Sequence, residues 1–182
     1  MQGLFLVYLL FYGKIKSAMG DIFMAILYLM VGIQGSGKST FSNKLSKEKN
    51  CKIISSDEVR KMYPNLDEKL VFPEVYKLCA EELKNNRDVI FDATNITPNV
   101  RNRNINNIKS IFADFKIHVY FINTDVEICK KRVEKRNKME GEIFIPLEVI
   151  DSYSKNIIPP SKEEGFDEII VLNNYQEENY YE

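Results

Sequence analysis

The run Gly32-Ile33-Gln34-Gly35-Ser36-Gly37-Lys38-Ser39 has the spacing G-x-x-x-x-G-K-[ST]. It follows the apolar residues 26–31, which predict a strand, and precedes residues 40–47, which predict a helix. Glycines let such a loop curl until its backbone N–H groups face phosphate oxygens, and the next helix adds the positive end of its dipole. The alternative is a chance glycine-rich turn, and the strand before the motif argues against it. The run therefore predicts a nucleotide-binding phosphate loop.

Two residues of this loop have specific predicted roles. Lys38 is expected to reach the β and γ phosphates of ATP, and Ser39 is expected to hold Mg²⁺. The residues expected to contact ATP are Gly32, Gln34, Gly35, Ser36, Gly37, Lys38, Ser39 and Thr40.

Outward from the loop, short apolar runs alternate with amphipathic stretches, a pattern typical of a parallel sheet joined by crossover helices. Strands are predicted at residues 26–31, 52–55, 88–92, 116–122 and 168–172. We therefore predict an α/β protein of the P-loop NTPase class. Its sheet would be five-stranded and mostly parallel, with helices on both faces and a small helical lid.

Proline and capping patterns predict where the other helices begin. Pro73 is expected to open a helix that runs to residue 86, and Thr97-Pro98 has the pattern of an N-cap followed by proline at the first helical position. Thr124 and Glu127 have the spacing of a capping box. Pro146 is expected to begin the last long helix, which the prolines at 159 and 160 end.

Composition excludes several classes of protein. The chain has 182 residues, 45% of them apolar, which suits one folded domain and excludes a disordered or fibrous chain. Its 25 basic and 26 acidic residues exclude a polybasic protein that binds by neutralising many phosphates. The charge is unevenly distributed, because residues 161–182 have a net charge of −6, which leaves +5 for residues 1–160.

The three cysteines and the single histidine predict no metal or disulfide site. Cys51, Cys79 and Cys129 are odd in number and share no C-x-x-C spacing, which fits a reducing cytosol. His118 lies in the alternating run 116–122, so we interpret it as a strand residue rather than a catalytic one.

The amino terminus contains two apolar runs, at residues 4–12 and 22–31. Each is shorter than the about 20 residues that a membrane span needs, and no basic residue precedes the first run as a signal peptide requires. We expect residues 1–23 to be an extension of the fold, and translation from Met24 would explain them. The predicted domain then covers residues 24–173, with an acidic tail at 174–182.

The absence of two sequence motifs excludes two classes of P-loop protein. No guanine-reading N-K-x-D element is present, and the strand that ends at Asp92 lacks the Asp-Glu pair of large motor ATPases. A compact phosphotransferase remains. Such an enzyme needs a group that orients or deprotonates the acceptor, and cations that hold the transferred phosphoryl group.

Candidate acceptor-side residues follow the second and third predicted strands. Asp57 lies just beyond the strand at 52–55, where it could act as general base, and Arg60 three residues later could bind a phosphate. The alternative is an Asp N-cap with a solvated Arg. Asp92 could belong to the magnesium shell or orient Arg60. Arg101 and Arg103 are expected to be surface charges.

The segment 130–138 contains six cations and one acidic residue. On a helical wheel Arg132 and Arg136 extend the inward stripe of Cys129 and Val133, whereas the lysines and Glu134 point outward. Inward arginines followed by a glycine-containing loop at 139–145 indicate a lid over ATP. The alternative is a surface helix whose charged side chains are only solvated.

With these residues in place, residues 25–172 resemble the kinase domain of the 5′-hydroxyl polynucleotide kinases of phages and bacteria. Zeta-toxin-like and other small P-loop kinases are relatives. The matching pieces are residues 32–40, S-D-E-V-R at 56–60, D-A-T-N at 92–95 followed by Pro98, K-R-x-x-K-R at 131–136 and P-L at 146–147.

The resemblance implies a role for each matched position. Asp57 would be the general base for the 5′-OH, and Arg60 would bind the 3′-phosphate of the acceptor. Arg132 and Arg136 would contact the ATP phosphates. Asp92, Thr94 and Asn95 would complete the acceptor site. The resemblance thus implies ATP and Mg²⁺ as cofactors and nucleic-acid 5′ ends as substrate.

The chain departs from the family in having no D-x-D phosphatase signature. We therefore expect a stand-alone kinase that works beside a separate ligase or phosphatase, with no membrane association. Two other functions stay open. One is a kinase of a small molecule such as a nucleoside, a sugar or a nucleotide-sugar, and the other is an ATP-binding regulatory module. The sequence predicts no oligomeric state.

Overall fold

A computed structural model describes residues 24–141 and 144–174. The sheet has five parallel strands in the order β2-β3-β1-β4-β5. The strands are β1 (Ile26–Val31), β2 (Lys52–Ser55), β3 (Val89–Asp92), β4 (Lys116–Asn123) and β5 (Glu168–Asn173). All five predicted strands are therefore confirmed, and the sheet, predicted to be mostly parallel, is parallel throughout.

Strand ends differ from the prediction by at most one residue. Asp88 lies outside β3, because its carboxylate accepts hydrogen bonds from the Ile26 backbone N–H at 2.9 Å and the Tyr28 hydroxyl at 3.0 Å. At the other end of the sheet, β4 and β5 each continue one residue further, and the side chains of Asn123 and Asn173 are hydrogen-bonded at 2.9 Å.

Six α-helices connect the strands in the described part of the chain. They are α1 (Lys38–Lys49), α2 (Ser56–Met62), α3 (Glu68–Lys84), α4 (Pro98–Lys109), α5 (Val126–Arg136) and α6 (Leu147–Asn156). A 3₁₀ helix at Lys162–Glu164 leads into β5.

Both faces of the sheet are buried, as the near-continuous apolar strands require. On one face Leu27 and Leu29 of β1 pack in the main core, which includes Val75 of α3 and Ile105 of α4. On the other face Tyr28, Met30 and Ile90 pack with Leu45 of α1. A third cluster joins Ile33 of the phosphate loop to Cys129 and Val133 of α5 and Ile150 of α6. The phosphate loop is thus anchored in the core.

Two of the predicted helix starts are wrong. The helix predicted to begin at Pro73 begins at Glu68, because Asp67 caps it through the Lys69 N–H at 2.9 Å, so the proline lies inside the helix. The predicted cap at Thr124 is at Asp125, whose carboxylate accepts from the Glu127 N–H at 2.8 Å. The Thr97 cap and the helix start after Pro146 are confirmed.

The predictions for His118 and the three cysteines can be compared with the structure, whereas those for the two ends of the chain cannot. His118 is in β4, with its Nδ1 2.9 Å from Glu168 Oε2, and the three cysteines are buried and free. The extension at 1–23 and nearly all of the acidic tail are outside the described residues. Within the described residues, no helix is long and apolar enough to cross a membrane.

Candidate active site

The phosphate loop lies between β1 and α1 and depends on glycine at two positions. Gly35 and Gly37 have φ angles of +78° and +103°, in the region that favours glycine. A Cβ on Gly35 would lie 2.4 Å from the carbonyl oxygen of Cys129, so the loop backbone packs directly against α5. Only glycine fits at this contact.

Side chains of α5 and the turn before it support the loop from below. The Thr124 hydroxyl donates to the Ser36 carbonyl at 2.8 Å, and Arg132 Nη1 lies 3.2 Å from the Gly35 carbonyl and 3.3 Å from that of Ser36. From the β3 side, the Gly32 N–H donates to the Thr94 carbonyl at 3.0 Å. These bonds hold the carbonyl groups outward and leave the N–H side of the loop for a ligand.

Lys38 and Asp92 form the charged centre of the loop. Lys38 Nζ donates to the Ile33 carbonyl at 2.8 Å, so the ammonium lies across the loop. Burial lowers the pKa of Lys38, and the nearby Asp92 carboxylate opposes that shift. Burial also raises the pKa of Asp92, opposed by Lys38 and by the hydroxyls of Ser39 and Ser42. The two charges therefore stabilise each other in a largely dehydrated position.

On the acceptor side, Asp57 and Arg60 are in the short helix α2. Ser55 is the N-cap of α2 and accepts from the Glu58 N–H at 3.1 Å, so Asp57 is not a cap. Arg60 Nη1 is 3.0 Å from Asp57 Oδ1, and Arg60 Nε is 3.1 Å from Glu68 Oε2. The Nη2 group of Arg60 bonds the other Glu68 oxygen, which completes a two-point contact. The Asp57 side chain remains 63% exposed.

One cavity of about 1100 Å³ joins the two sides. Its lining includes Gln34, Gly35, Gly37, Lys38, Ser39, Thr40, Asp57, Arg60, Asp92, Thr94, Arg132 and Arg136. Most predicted site residues therefore face the same space. Gly32, Ser36 and Asn95 are not among its lining residues. The backbones of Gly32 and Ser36 instead hold the loop in place, through hydrogen bonds with Thr94 and Thr124.

Asn95 lies behind the site, where both ends of its amide are hydrogen-bonded. Its Nδ2 donates to the Met30 carbonyl at 2.8 Å, and its Oδ1 accepts from Asn104 Nδ2 at 2.8 Å. The Oδ1 of Asn104 in turn accepts from the Tyr76 hydroxyl at 2.7 Å. This buried chain fixes the turn after β3, and the Asn95 amide is turned towards the core.

The expectation that Arg101 is a surface charge is wrong. Arg101 has 0% exposure and bonds both carboxylate oxygens of Glu164 at 2.6 and 2.7 Å, together with the carbonyls of Asn95 at 2.9 Å and Ile158 at 3.0 Å. The inward face of α4 also carries Ile105 and Ile108, at helical spacing from Arg101. That spacing was visible in the sequence. Arg103 is exposed, as expected.

The inward orientation predicted for Arg132 and Arg136 is confirmed, since both line the cavity. Lys131, Glu134, Lys135 and Lys138 are exposed, whereas Lys130 is half-buried and pairs with Asp151 at 2.6 Å. Beyond α5, Asn137 forms two hydrogen bonds with the Ile145 backbone, at 2.7 and 3.0 Å. This clasp at the base of the lid loop was not predicted.

The residues of the loop fit a nucleotide phosphate. Helix α1 has no side-chain cap at its N-terminus, and Gln34 Oε1 and Ser36 Oγ are buried without a hydrogen-bond partner within the described residues. Ser39 and Asp92 offer a hydroxyl and a carboxylate on the same cavity, the oxygen donors that Mg²⁺ prefers. No cluster of three or more His, Cys, Asp or Glu residues is found in the ranges described.

Comparison with known proteins supports the same fold. A fungal RNA kinase is 18% identical with a TM-score of 0.63, covering 87% of this chain and 78% of that one. Kti12 from Chaetomium thermophilum, in complex with ADP-AlF3, is 18% identical with a TM-score of 0.61, covering 81% and 88%. A gluconokinase from Sinorhizobium meliloti 1021 is 16% identical with a TM-score of 0.55, covering 85% of both chains. At these identities the likeness concerns the fold.

The family model described as AAA domain matches residues 27–160, which include the phosphate loop, Asp57, Asp92 and α5. With that match over most of its length, the chain belongs to the AAA_33 family of AAA domains, and its fold is that of the P-loop kinases.

Proposed function

We propose that the protein is an ATP-dependent kinase that phosphorylates the 5′-hydroxyl end of DNA or RNA. The observation that carries the proposal is that Asp57 and Arg60 line the same cavity as Lys38 and the two α5 arginines. This gives one space an acceptor side, with a carboxylate and a guanidinium, and a donor side rich in cations. The resemblance of residues 56–60 and 92–95 to polynucleotide kinases supports a nucleic-acid end as acceptor.

On the donor side, the cations neutralise the triphosphate. Lys38 compensates charge on the β and γ phosphates, and Arg132 and Arg136 compensate charge on the transferred group. When Mg²⁺ is bound, it supplies further charge neutralisation and orients the phosphate oxygens, with Ser39 and Asp92 as its protein ligands.

On the acceptor side, Asp57 removes the proton of the attacking hydroxyl. A bond forms between the 5′ oxygen and the γ phosphorus, the bond from that phosphorus to the β–γ bridging oxygen breaks, and ADP leaves. The proton passes to an Asp57 carboxylate oxygen. Arg60 binds a phosphate of the acceptor and thereby sets the position of the hydroxyl. A 5′-phosphate end is the substrate of a ligation reaction, so a ligase would act next.

The test is transfer of labelled γ-phosphate from ATP, with Mg²⁺, to DNA and RNA oligonucleotides that have 5′-hydroxyl ends. We expect label on the oligonucleotide, a 10²- to 10⁴-fold lower rate for Asp57→Ala with ATP binding retained, and loss of both ATP affinity and turnover for Lys38→Ala. An oligonucleotide that already has a 5′-phosphate is the negative control. Normal turnover by Asp57→Ala would remove this residue from its role as base.

A second candidate is a kinase of a small polyol such as a sugar. The exposed carboxylates of Asp57 and Glu68, both bonded to Arg60, favour it, because paired carboxylates can accept hydrogen bonds from several hydroxyls of one acceptor. The same assay with a pool of sugars and nucleosides separates the two. Label only in that pool, with an apparent acceptor affinity that hardly depends on salt, would favour the small molecule.

A further inference from the structure

Phe72 is the aromatic residue of the active-site cavity. Among the described residues that line the cavity, it is the only one with an aromatic ring. Apart from the small Ala93, the other side chains that line the acceptor side are polar or charged, including Asp57, Arg60 and Lys61. The ring therefore gives that side a single flat apolar surface.

The ring is held firmly from behind. Phe72 is half-buried in the second turn of α3, and its neighbour Val71 is fully buried. The Phe72 ring packs against Tyr76 at 6.1 Å between centroids, and the Tyr76 ring packs edge-on against Phe91 at 6.4 Å. Because the Tyr76 hydroxyl is hydrogen-bonded to Asn104, this stack cannot turn freely. Phe72 thus contacts the Tyr76 ring on the core side and also lines the cavity.

The position of Phe72 relative to Arg60 follows from the helix. Glu68 and Phe72 are separated by four residues on α3, which places their side chains on one helix face, with Cβ atoms about 5–6 Å apart. Glu68 holds Arg60 by two contacts. Phe72 is therefore one helical turn from the residue that holds the Arg60 guanidinium, and Phe72 and Arg60 line the same cavity.

A flat ring beside two cations matches a nucleotide. A nucleobase stacks on an aromatic side chain, and this contact tolerates any base because every base has a π face. Arg60 and Lys61 can bind the phosphate joined to the same nucleotide. We propose that Phe72 is the stacking surface for the 5′-terminal base of the acceptor, which makes it a specificity-determining residue. The inference rests on the proposed function and names its substrate class as an end that carries a base.

The experiment uses two acceptors of identical sequence. One has a normal 5′-terminal nucleotide, and the other has an abasic tetrahydrofuran residue at that position, with its 5′-hydroxyl intact. The proteins are the unaltered chain, Phe72→Leu, Phe72→Tyr and Phe112→Leu. Phe112 is the matched control, because it is also half-buried and packs against the same core but does not line the cavity. The measured quantities are kcat, KM for the acceptor and KM for ATP.

We expect KM of the unaltered protein to be about tenfold higher for the abasic acceptor, as the loss of one stacked base predicts. Phe72→Leu should raise KM for the normal acceptor by the same factor and leave KM for the abasic acceptor unchanged. Phe72→Tyr should keep the preference for the base, and Phe112→Leu should change neither acceptor. KM for ATP should be the same in all four proteins.

Equal KM values of the unaltered protein for the two acceptors would overturn the inference while leaving the proposed function intact, since both oligonucleotides would still be labelled. An equal rise in KM for both acceptors in Phe72→Leu would also overturn it, because the ring would then act only through packing. Failure to label any oligonucleotide would overturn the proposed function together with the inference.

Discussion

The two sides of the cavity are built in different ways. The phosphate loop is held by backbone carbonyls that accept from Thr124, Arg132 and the Gly32 N–H, and its lysine is buried beside Asp92. The acceptor side is a seven-residue helix whose two key groups, Asp57 and Arg60, are tied by exposed ion pairs that include Glu68. The donor side is therefore preorganised by bonds that a ligand need not replace, whereas the acceptor side is held by contacts that a ligand can replace.

This difference separates nucleotide binding, which related enzymes share, from acceptor binding, which differs between them. Every kinase of this fold must bind a nucleoside triphosphate, so a preorganised phosphate loop serves all of them. Acceptors differ between enzymes, and exposed ion pairs contribute little to stability, so the acceptor side can be altered without unfolding the domain. The fold therefore identifies the donor more readily than the acceptor.

The largest effect is expected in the turn after β3, which supports the donor side because its Thr94 carbonyl accepts from the Gly32 N–H of the phosphate loop. Arg101→Met removes the buried partner of Glu164 and leaves the carbonyls of Asn95 and Ile158 without their donor. Breaking such a buried pair costs about 3–5 kcal/mol of the free energy of unfolding. Urea denaturation followed by circular dichroism measures this loss. Arg101→Met combined with Glu164→Gln should recover part of it, since the unpaired charge is removed.

A loss of less than about 1 kcal/mol for Arg101→Met would contradict the prediction, because exposed pairs typically contribute no more than that. In that case the donor side would be no better anchored than the acceptor side, and the comparison between them would fail.

A smaller effect is expected at the loop itself, where Gly35 can be compared with Gly165, a glycine outside the loop. Gly35 and Gly165 have the same φ of +78°, but a Cβ on Gly165 would meet nothing within 4 Å. Gly165→Ala should cost only backbone strain, about 1–2 kcal/mol. Gly35→Ala should cost more in unfolding free energy and also weaken ATP binding by at least tenfold, because the Cys129 carbonyl must move. Calorimetric titration with ATP measures the affinity.

If Gly35→Ala and Gly165→Ala prove equal in both stability and ATP affinity, the tight contact between the loop and α5 does not matter energetically. The rigid support of the donor side would then come from the hydrogen bonds of Thr124 and Arg132 alone.

The smallest effect is expected on the acceptor side. Glu68→Gln removes a carboxylate whose pKa is lowered chiefly by its hydrogen bonds to Arg60, yet the pair is exposed to solvent. We expect no measurable change in the urea midpoint, because solvent and salt screen such pairs. A clear loss of stability that vanishes in 0.5 M NaCl would show that this ion pair supports the fold as well as the site.

The sequence predicted the donor side well because its signals are local. The loop motif lies between an apolar strand and a helix, and each predicted strand is a short apolar run with a clear boundary. The inward direction of Arg132 and Arg136 followed from 3.6-residue periodicity. In each case the residues next to a position in the sequence were sufficient to predict its structure.

The rest depended on contacts distant in sequence. Glu164, the partner of Arg101, lies 63 residues away, so no local pattern could identify it. A helix predicted to begin at Pro73 does not include Glu68, whereas the Asp67 cap starts α3 at Glu68 despite the internal proline. The buried amide of Asn95 could not be distinguished from an exposed one before the packing of α4 was known.

Helix α5 joins the phosphate loop to the lid. Its first half contacts the loop at Gly35, its last residue Arg136 lines the cavity, and the Asn137 clasp begins one residue later. Eleven helical residues make a rod about 16 Å long. The loop contacts this rod in its middle, at Cys129 and Arg132, so a displacement of the loop backbone is expected to shift the whole helix, including Arg136. We therefore expect a change in the loop backbone on nucleotide binding to reach the Asn137 clasp through α5.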